Sequence, residues 1–159
     1  MSAEPMVNQA KLQIVEEPSL SVVSIRKSRT LQDVAAMPVE PNTLSGSADV
    51  GCVRIEPHAW LMTSTSAAQK PSPSPGVLVT DISDRLVAFR VTGPAATDVI
   101  ASGCDPAIVG AGRFARTRFA SLATAMIQRW AADDYRVLVD VSIAWVFAEW
   151  LRQTARSVG

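Results

Sequence analysis

The sequence predicts an α+β fold, and three observations carry that expectation. Short apolar runs with two-residue alternation recur along the chain, and the C-terminal stretch shows a single stripe at helical spacing. The order strand–helix–strand–strand also occurs twice, over 20–63 and again over 86–130. Both predicted short helices carry an Asp-Val pair, Asp33-Val34 and Asp98-Val99, so the segments read as two related α+β halves packed together. At 159 residues the chain is one domain by length, or two small halves sharing a core, and its 48% hydrophobic content is enough to build one.

Taken in order, residues 1–19 read as a polar N-terminal arm, followed by a single domain over 20–159 with halves 20–82 and 83–159. Leu20–Ile25 is the first predicted strand. Thr30 caps a short helix with Asp33 three residues on, and that helix stops before Pro38. Residues 38–49 form a loop, Val50–Ile55 a strand, Glu56-Pro57-His58 a turn and Trp60–Thr63 another strand. Pro71, Pro73 and Pro75 in the stretch 69–76 exclude a helix and favour extended geometry, which makes this a linker. Val77–Ile82 is a strand leading to Asp81-Ile82-Ser83-Asp84, whose acids are expected to satisfy turn N–H groups.

In Leu86–Val91 the residues alternate, with Val87, Phe89 and Val91 on one face and Ala88 and Arg90 on the other. Thr92-Gly93-Pro94 turns the chain into a short helix over 95–102, stopped by Gly103. Arg113–Leu122 and Thr124–Trp130 read as a hairpin, Ala131–Asp134 as a turn and Tyr135–Val139 as a strand. The last helix places Ile143, Val146, Phe147, Trp150, Leu151 and Thr154 on one buried stripe, with Ser142 as its N-cap.

The chemistry-bearing residues are sparse. Lys+Arg and Asp+Glu are 15 each, so the formal charge is zero and a general nucleic-acid or anionic-membrane binder is not expected. No apolar run approaches the roughly 20 residues of a membrane span, and the N-terminus lacks a signal-peptide pattern, so the expected location is the cytoplasm. Cys52 and Cys104 have no neighbouring ligand at metal spacing and read as small hydrophobes, so no metal site is expected. Gly110-Ala111-Gly112-Arg113-Phe114-Ala115 matches a dinucleotide fingerprint, with Asp133 and Asp134 downstream. Only Ile108 and Val109 precede the glycines, and Arg113–Phe119 alternates like a strand, so the expected structure is a glycine turn without cofactor. His58 is the sole histidine and has no adjacent Ser or Cys to activate. No catalytic or cofactor-binding residues are assigned.

Four residues stand out as partner-interface candidates. Arg116 and Arg118 share one face of a strand, and Arg152 lies near Trp145 on the last helix. Trp145 falls roughly opposite that helix's apolar stripe. It is either covered by the chain's own arm, simply exposed, or an anchor for a partner, a role in which Trp and Arg are enriched.

Several short motifs in fixed order also carry a family resemblance. They are Met37-Pro38-Val39-Glu40-Pro41-Asn42, Glu56-Pro57-His58-Ala59-Trp60-Leu61-Met62, Thr80-Asp81-Ile82-Ser83-Asp84 and Val91-Thr92-Gly93-Pro94-Ala95-Ala96, then Gly103-Cys104-Asp105, Phe114-Ala115-Arg116-Thr117 and the Ser142…Trp150-Leu151 helix. From about residue 20 onward the chain resembles the folate-binding T-protein (aminomethyltransferase) superfamily, and within it the gamma subunit of heterotetrameric sarcosine oxidases. The resemblance implies a T-protein-like fold of two ferredoxin-like α/β half-units, the first trimmed where the Pro-Ser linker replaces a helix. It further implies a non-catalytic subunit that aids assembly and stability of a flavin-dependent sarcosine or N-methyl amine oxidase. Alpha, beta and delta-type subunits would be its partners and would hold FAD, FMN, NAD and tetrahydrofolate. T-proteins carry an acidic pair where this chain has Ala123-Thr124-Ala125, a departure that bears on the alternative of a stand-alone folate-binding or aminomethyltransferase-like protein.

Overall fold

A computed structural model describes residues 4–29, 37–66 and 71–158. Its strands are β1 (Pro5–Gln9), β2 (Leu12–Glu16), β3 (Ser21–Lys27), β4 (Leu44–Gly46), β5 (Val50–Glu56), β6 (Ala59–Ser64) and β7 (Val77–Asp81). There follow β8 (Leu86–Thr92), α1 (Ala96–Ala101), β9 (Arg113–Phe119), β10 (Ala123–Ala131), β11 (Asp134–Asp140) and α2 (Ala144–Val158). The chain divides into two compact units, one from residues 1–18 with 85–159 and the other from 19–84. The fold is α+β, with one antiparallel sheet in each unit.

The first unit holds a six-stranded sheet in the order β1-β2-β8-β11-β10-β9. Strand alternation decides its two faces. Leu12, Ile14, Phe89, Val91, Ile127, Tyr135 and Val137 point toward α1 and α2 and meet Val99, Ile100, Phe147 and Leu151 in one buried core. Four aromatic rings centre this layer: Phe147 lies 5.5 Å from Phe89, 5.3 Å from Phe119 and 6.0 Å from Trp150, between ring centroids. Two glycines are fixed by close approach. Gly93 has φ +108°, and a Cβ there would come 2.6 Å from the Lys11 carbonyl, which also accepts from the Ala95 N–H at 3.0 Å. At Gly103 a Cβ would strike the Phe119 ring, so the residue that ends α1 also makes room for the core.

The expected polar arm needs correction. Its residues supply β1 and β2, and Leu12 and Ile14 are fully buried. Gln13, Ile14 and Val15 pair with Thr92, Val91 and Arg90 of β8, so the N-terminal hairpin belongs to the sheet. The start of the last helix also differs. Asp140, not Ser142, caps the turn Val141–Ile143: its Oδ1 accepts from the Ser142 N–H at 2.9 Å and hydroxyl at 2.6 Å, and α2 begins at Ala144. Those two bonds hold the Asp140 carboxyl below its ordinary pKa. The other strand end repeats the device, since Asp81 Oδ1 accepts from the Ser83 N–H at 3.0 Å and hydroxyl at 2.5 Å. This is the turn-forming role expected of Asp81.

The second unit holds a five-stranded sheet in the order β4-β5-β6-β3-β7. Val23, Ile25 and Trp60 are buried together, with Met37, Cys52, Met62, Val77 and Val79 packed around them. The segment after Met37 is tied down through its carbonyls. Trp60 Nε1 donates to the Pro38 carbonyl at 2.8 Å, and Arg54 Nη1 donates to that of Val39 at 2.6 Å. Part of the expected 38–49 loop is β4, paired to β5. The helix expected after Thr30 falls on 30–36, outside the described residues, as does the start of the predicted linker at 69–70.

Candidate functional site

α2 sorts its residues by the 100° step of a helix. Phe147, Ala148, Leu151 and Ala155 are buried, whereas Trp145, two positions before Phe147, is 74% exposed. Val141, in the turn just before α2, is also apolar and 52% exposed. Beyond Trp145 the surface turns polar: Arg152 lies 3.7 Å from Glu149, which also accepts from Gln153 at 3.1 Å. An exposed indole with an apolar neighbour and an ion pair at its margin has the composition of an interface anchor with a polar rim. Since the N-terminal residues 5–16 are sheet strands, they do not act as a cover for Trp145.

Arg116 and Arg118 sit elsewhere. Both are exposed on β9, the outermost strand, opposite Met126 and Thr124 of β10. Their neighbours Ala115 and Phe119 contribute to the core beneath the helices, so alternation sends Arg116 and Arg118 to the opposite face of the sheet from α2. The four interface candidates therefore form two surfaces, Trp145 with Arg152 on the helix layer and the two β9 arginines on the other face.

That other face carries a buried polar row that sequence reasoning missed. Gln128, Arg136, Arg90 and Val15 are successive cross-strand neighbours on β10, β11, β8 and β2. Arg136 has a fully buried side chain, and Glu17 binds it in bidentate fashion, Nε to Oε2 at 2.5 Å and Nη2 to Oε1 at 2.8 Å. Its Nη1 reaches the Gln128 Oε1 at 3.4 Å. Beside it, Arg90 is bidentate to Asp134 at 3.0 and 2.9 Å. Two guanidinium groups directly opposite each other would repel, and one carboxylate for each removes that penalty. Asp134, expected only as a turn residue, is thus also a counter-ion.

A groove of about 410 Å³ opens beside this row, lined by Gln13, Val15, Glu17, Arg90 and Thr92. Its charged groups, Glu17 and Arg90, are engaged by Arg136 and Asp134, which makes the row an electrostatic cross-tie from the end of β2 to β10. One signal was available in the sequence, an arginine at the second position of the otherwise apolar strand Tyr135–Val139. Its partner, Glu17, lies 119 residues away and leaves no local pattern.

The remaining constellations stay apart. Gly112, with φ +72°, donates its N–H to the Arg129 carbonyl at 2.7 Å and leads into β9, so the glycine fingerprint is a turn before a strand. His58 lies between β5 and β6, where its carbonyl accepts from the Lys27 N–H at 3.0 Å. Burial pushes the Cys52 thiol up to about 11, and burial together with Asp105 raises that of Cys104, which disfavours either thiolate. Both cysteines are half-buried and pack as small hydrophobes against the cores, Cys104 in the first unit and Cys52 in the second. Among the described residues no group of three or more His, Cys, Asp and Glu side chains could hold a metal ion. Nor is any helix among them long and apolar enough to cross a membrane. Where an acidic pair was sought, Ala123, Thr124 and Ala125 open β10, and Ala125 packs into the core under the helices.

No protein-family model matches the chain, and no curated protein matches it by sequence. Solved structures do. A chain of the heterotetrameric sarcosine oxidase from Corynebacterium sp. U-96, determined in complex with pyrrole 2-carboxylate, superposes with a TM-score of 0.77 at 16% identity, covering 96% of this chain and 87% of that one. The glycine cleavage system aminomethyltransferase T from Bartonella henselae superposes with a TM-score of 0.67 at 14% identity, covering 90% of this chain but 46% of its own. At these identities the likeness is one of fold, and the fold is T-protein-like.

Proposed function

We propose that this chain is a non-catalytic, gamma-type subunit of a multi-subunit flavin-dependent sarcosine oxidase, or of a related N-methyl amine oxidase or dehydrogenase. The observation that carries this reading is the extent of the two superpositions. The match to a chain of the heterotetrameric oxidase runs nearly from end to end of both chains, whereas the aminomethyltransferase is matched over less than half its length. In this reading FAD, FMN, NAD and tetrahydrofolate are held by the alpha, beta and delta-type partners, and this chain contributes to their assembly and stability. Trp145 and Arg152 offer one contact surface and Arg116 and Arg118 a second. The methyl-bearing residues at the start of β10 do not fit folate-dependent aminomethyl transfer, which would require an acid there.

Co-expression with candidate flavoprotein subunits, followed by size-exclusion chromatography and an amine oxidation assay, tests the proposal. The expected result is co-elution in a stable complex whose activity falls when this chain is omitted. A chain that elutes alone, with full amine oxidation in its absence, overturns the reading. Micromolar tetrahydrofolate binding to the isolated chain by calorimetry would instead favour a stand-alone folate-binding protein.

A further inference from the structure

The two sheets present four outer strands, and three of them are guarded against pairing with another chain. β1 begins with Pro5 and carries a register shift between Pro5 and Val7. β4 is three residues long and ends in Gly46 at φ +91°. β9 carries Arg113, Arg116 and Arg118. β7 carries a charge only at its last residue, Asp81, and Leu78 is 62% exposed. Among the described residues its outer side is bridged at Val77, whose N–H donates to the Ser74 carbonyl at 2.9 Å, and no strand pairs with it beyond that point.

The ladder to β3 fixes what that outer side presents. The Ile82 N–H donates to the Val22 carbonyl at 2.9 Å, and the Ser28 N–H to that of Gly76 at 2.8 Å. With Ser24 opposite Thr80 and Arg26 opposite Leu78, antiparallel alternation turns the main-chain groups of Leu78 and Thr80 toward β3. Those of Val79 face outward. The side chains of Val77 and Val79 pack toward Trp60, leaving Leu78 and Thr80 on the other, exposed face.

We propose that this edge pairs with itself: a second copy of the chain adds its own β7 antiparallel to the first, about a two-fold axis through Val79. The Val79 N–H of each copy then donates to the Val79 carbonyl of the other, and Leu78 of each lies against Thr80 of its mate. Charge favours a second copy over an arbitrary strand. At the start of β7 a cavity of about 380 Å³ is lined by Arg26, Lys27, Ser28, Gly76, Val77 and Leu78, with Glu56 3.6 Å from Arg26 leaving this end net positive, while Asp81 and Asp84 stand at the other end. The antiparallel two-fold sets the acidic end of each strand beside the basic end of the other, so opposite charges meet twice. This proposal does not depend on the subunit reading above.

The test is light scattering coupled to size-exclusion chromatography, with sedimentation analysis of the full chain alone over a range of concentrations. The wild-type chain is expected to form a dimer that dissociates on dilution and with added salt. Leu78→Glu sets a negative charge beside the mate's acidic end without touching the ladder to β3, and is expected to raise the dimer dissociation constant by roughly tenfold or more. Val79→Pro removes the outward N–H, at a position where an edge strand tolerates proline, and also trims packing against Trp60. Loss of two reciprocal hydrogen bonds raises the dimer dissociation constant by roughly tenfold or more. Circular dichroism checks that each variant is folded, and should Val79→Pro fail to fold, Leu78→Glu alone decides. A wild-type chain that is monomeric throughout overturns the proposal, as does a dimer unaffected by Leu78→Glu. A monomeric chain whose Leu78→Glu variant loses its flavoprotein partners reassigns the edge to a partner strand and likewise overturns self-pairing.

Discussion

In the unit formed by 1–18 and 85–159, one sheet face is roofed by α1 and α2, and four aromatic rings fill the space beneath. On its other face an arginine with no exposed surface is held by a carboxylate from the far end of the chain. The unit formed by 19–84 is built on a smaller scale around Trp60, whose ring is packed below and flanked by Arg54 and Lys27 at 5.8 and 5.9 Å. Its loop after Met37 is tethered by hydrogen bonds from Trp60 and Arg54 to main-chain carbonyls. The first unit thus depends on a desolvated charge pair as well as packing, and the second on a few polar tethers attached to one indole. Loss of a buried counter-ion should therefore be felt throughout its unit, and loss of a tether only nearby.

The largest expected effect comes from Glu17→Gln, which leaves the Arg136 guanidinium buried without its counter-charge. Removing one member of a buried pair costs about 3–5 kcal/mol, to be read from urea unfolding. The double variant Glu17→Leu, Arg136→Met should recover most of that loss, because the penalty lies in the orphaned charge rather than in the missing attraction. If Glu17→Gln costs no more than an average surface change, the contrast between the units fails. Next comes Trp60→Phe, which keeps one aromatic ring but removes the pyrrole half of the buried indole and with it the 2.8 Å bond to Pro38. It should cost about 1–3 kcal/mol, the lost bond plus the space left behind, with hydrogen exchange rising in residues 37–43 and not in the sheet of the first unit. The smallest effect on folding belongs to Trp145→Ala, expected within about 0.5 kcal/mol for the isolated chain. In the proposed complex the same change should weaken assembly by about 2 kcal/mol or more. A large drop in the isolated chain's melting temperature with assembly unchanged would make Trp145 a packing residue.

Much of the fold was legible because its signals are local. The alternation of Val87, Phe89 and Val91 identified β8, and the helical spacing of Phe147 and Leu151 identified α2. The N-terminal hairpin escaped because β1 reads as polar and gains its place only by pairing β2 to β8, across more than seventy residues. Asp140 escaped as a cap because Ser142, two positions on, is an equally good capping residue, and the structure uses the serine as the donor instead. Of the candidate surface, Trp145 was readable from its angle on a helix. The separation of Arg116 and Arg118 from it required knowing which face of the sheet the helices cover. The Arg136–Glu17 pair shows the same limit, since a strand pattern reveals a misplaced charge but not its distant partner.

The division of the chain also sets an order of events during synthesis. The unit 19–84 is a continuous insertion within the other unit, and all of its strands leave the ribosome before β8 does. The N-terminal hairpin, by contrast, has no sheet to join until β8 has been made, and Glu17 has no guanidinium to meet until Arg136 appears. Closing that long loop carries an entropic cost that grows slowly with its length. A prefolded insertion shortens the effective separation of its ends. Once 19–84 has folded, the bond from the Ile82 N–H to the Val22 carbonyl at 2.9 Å holds the two ends of the insertion together, which shortens the loop that β2 and β8 must close.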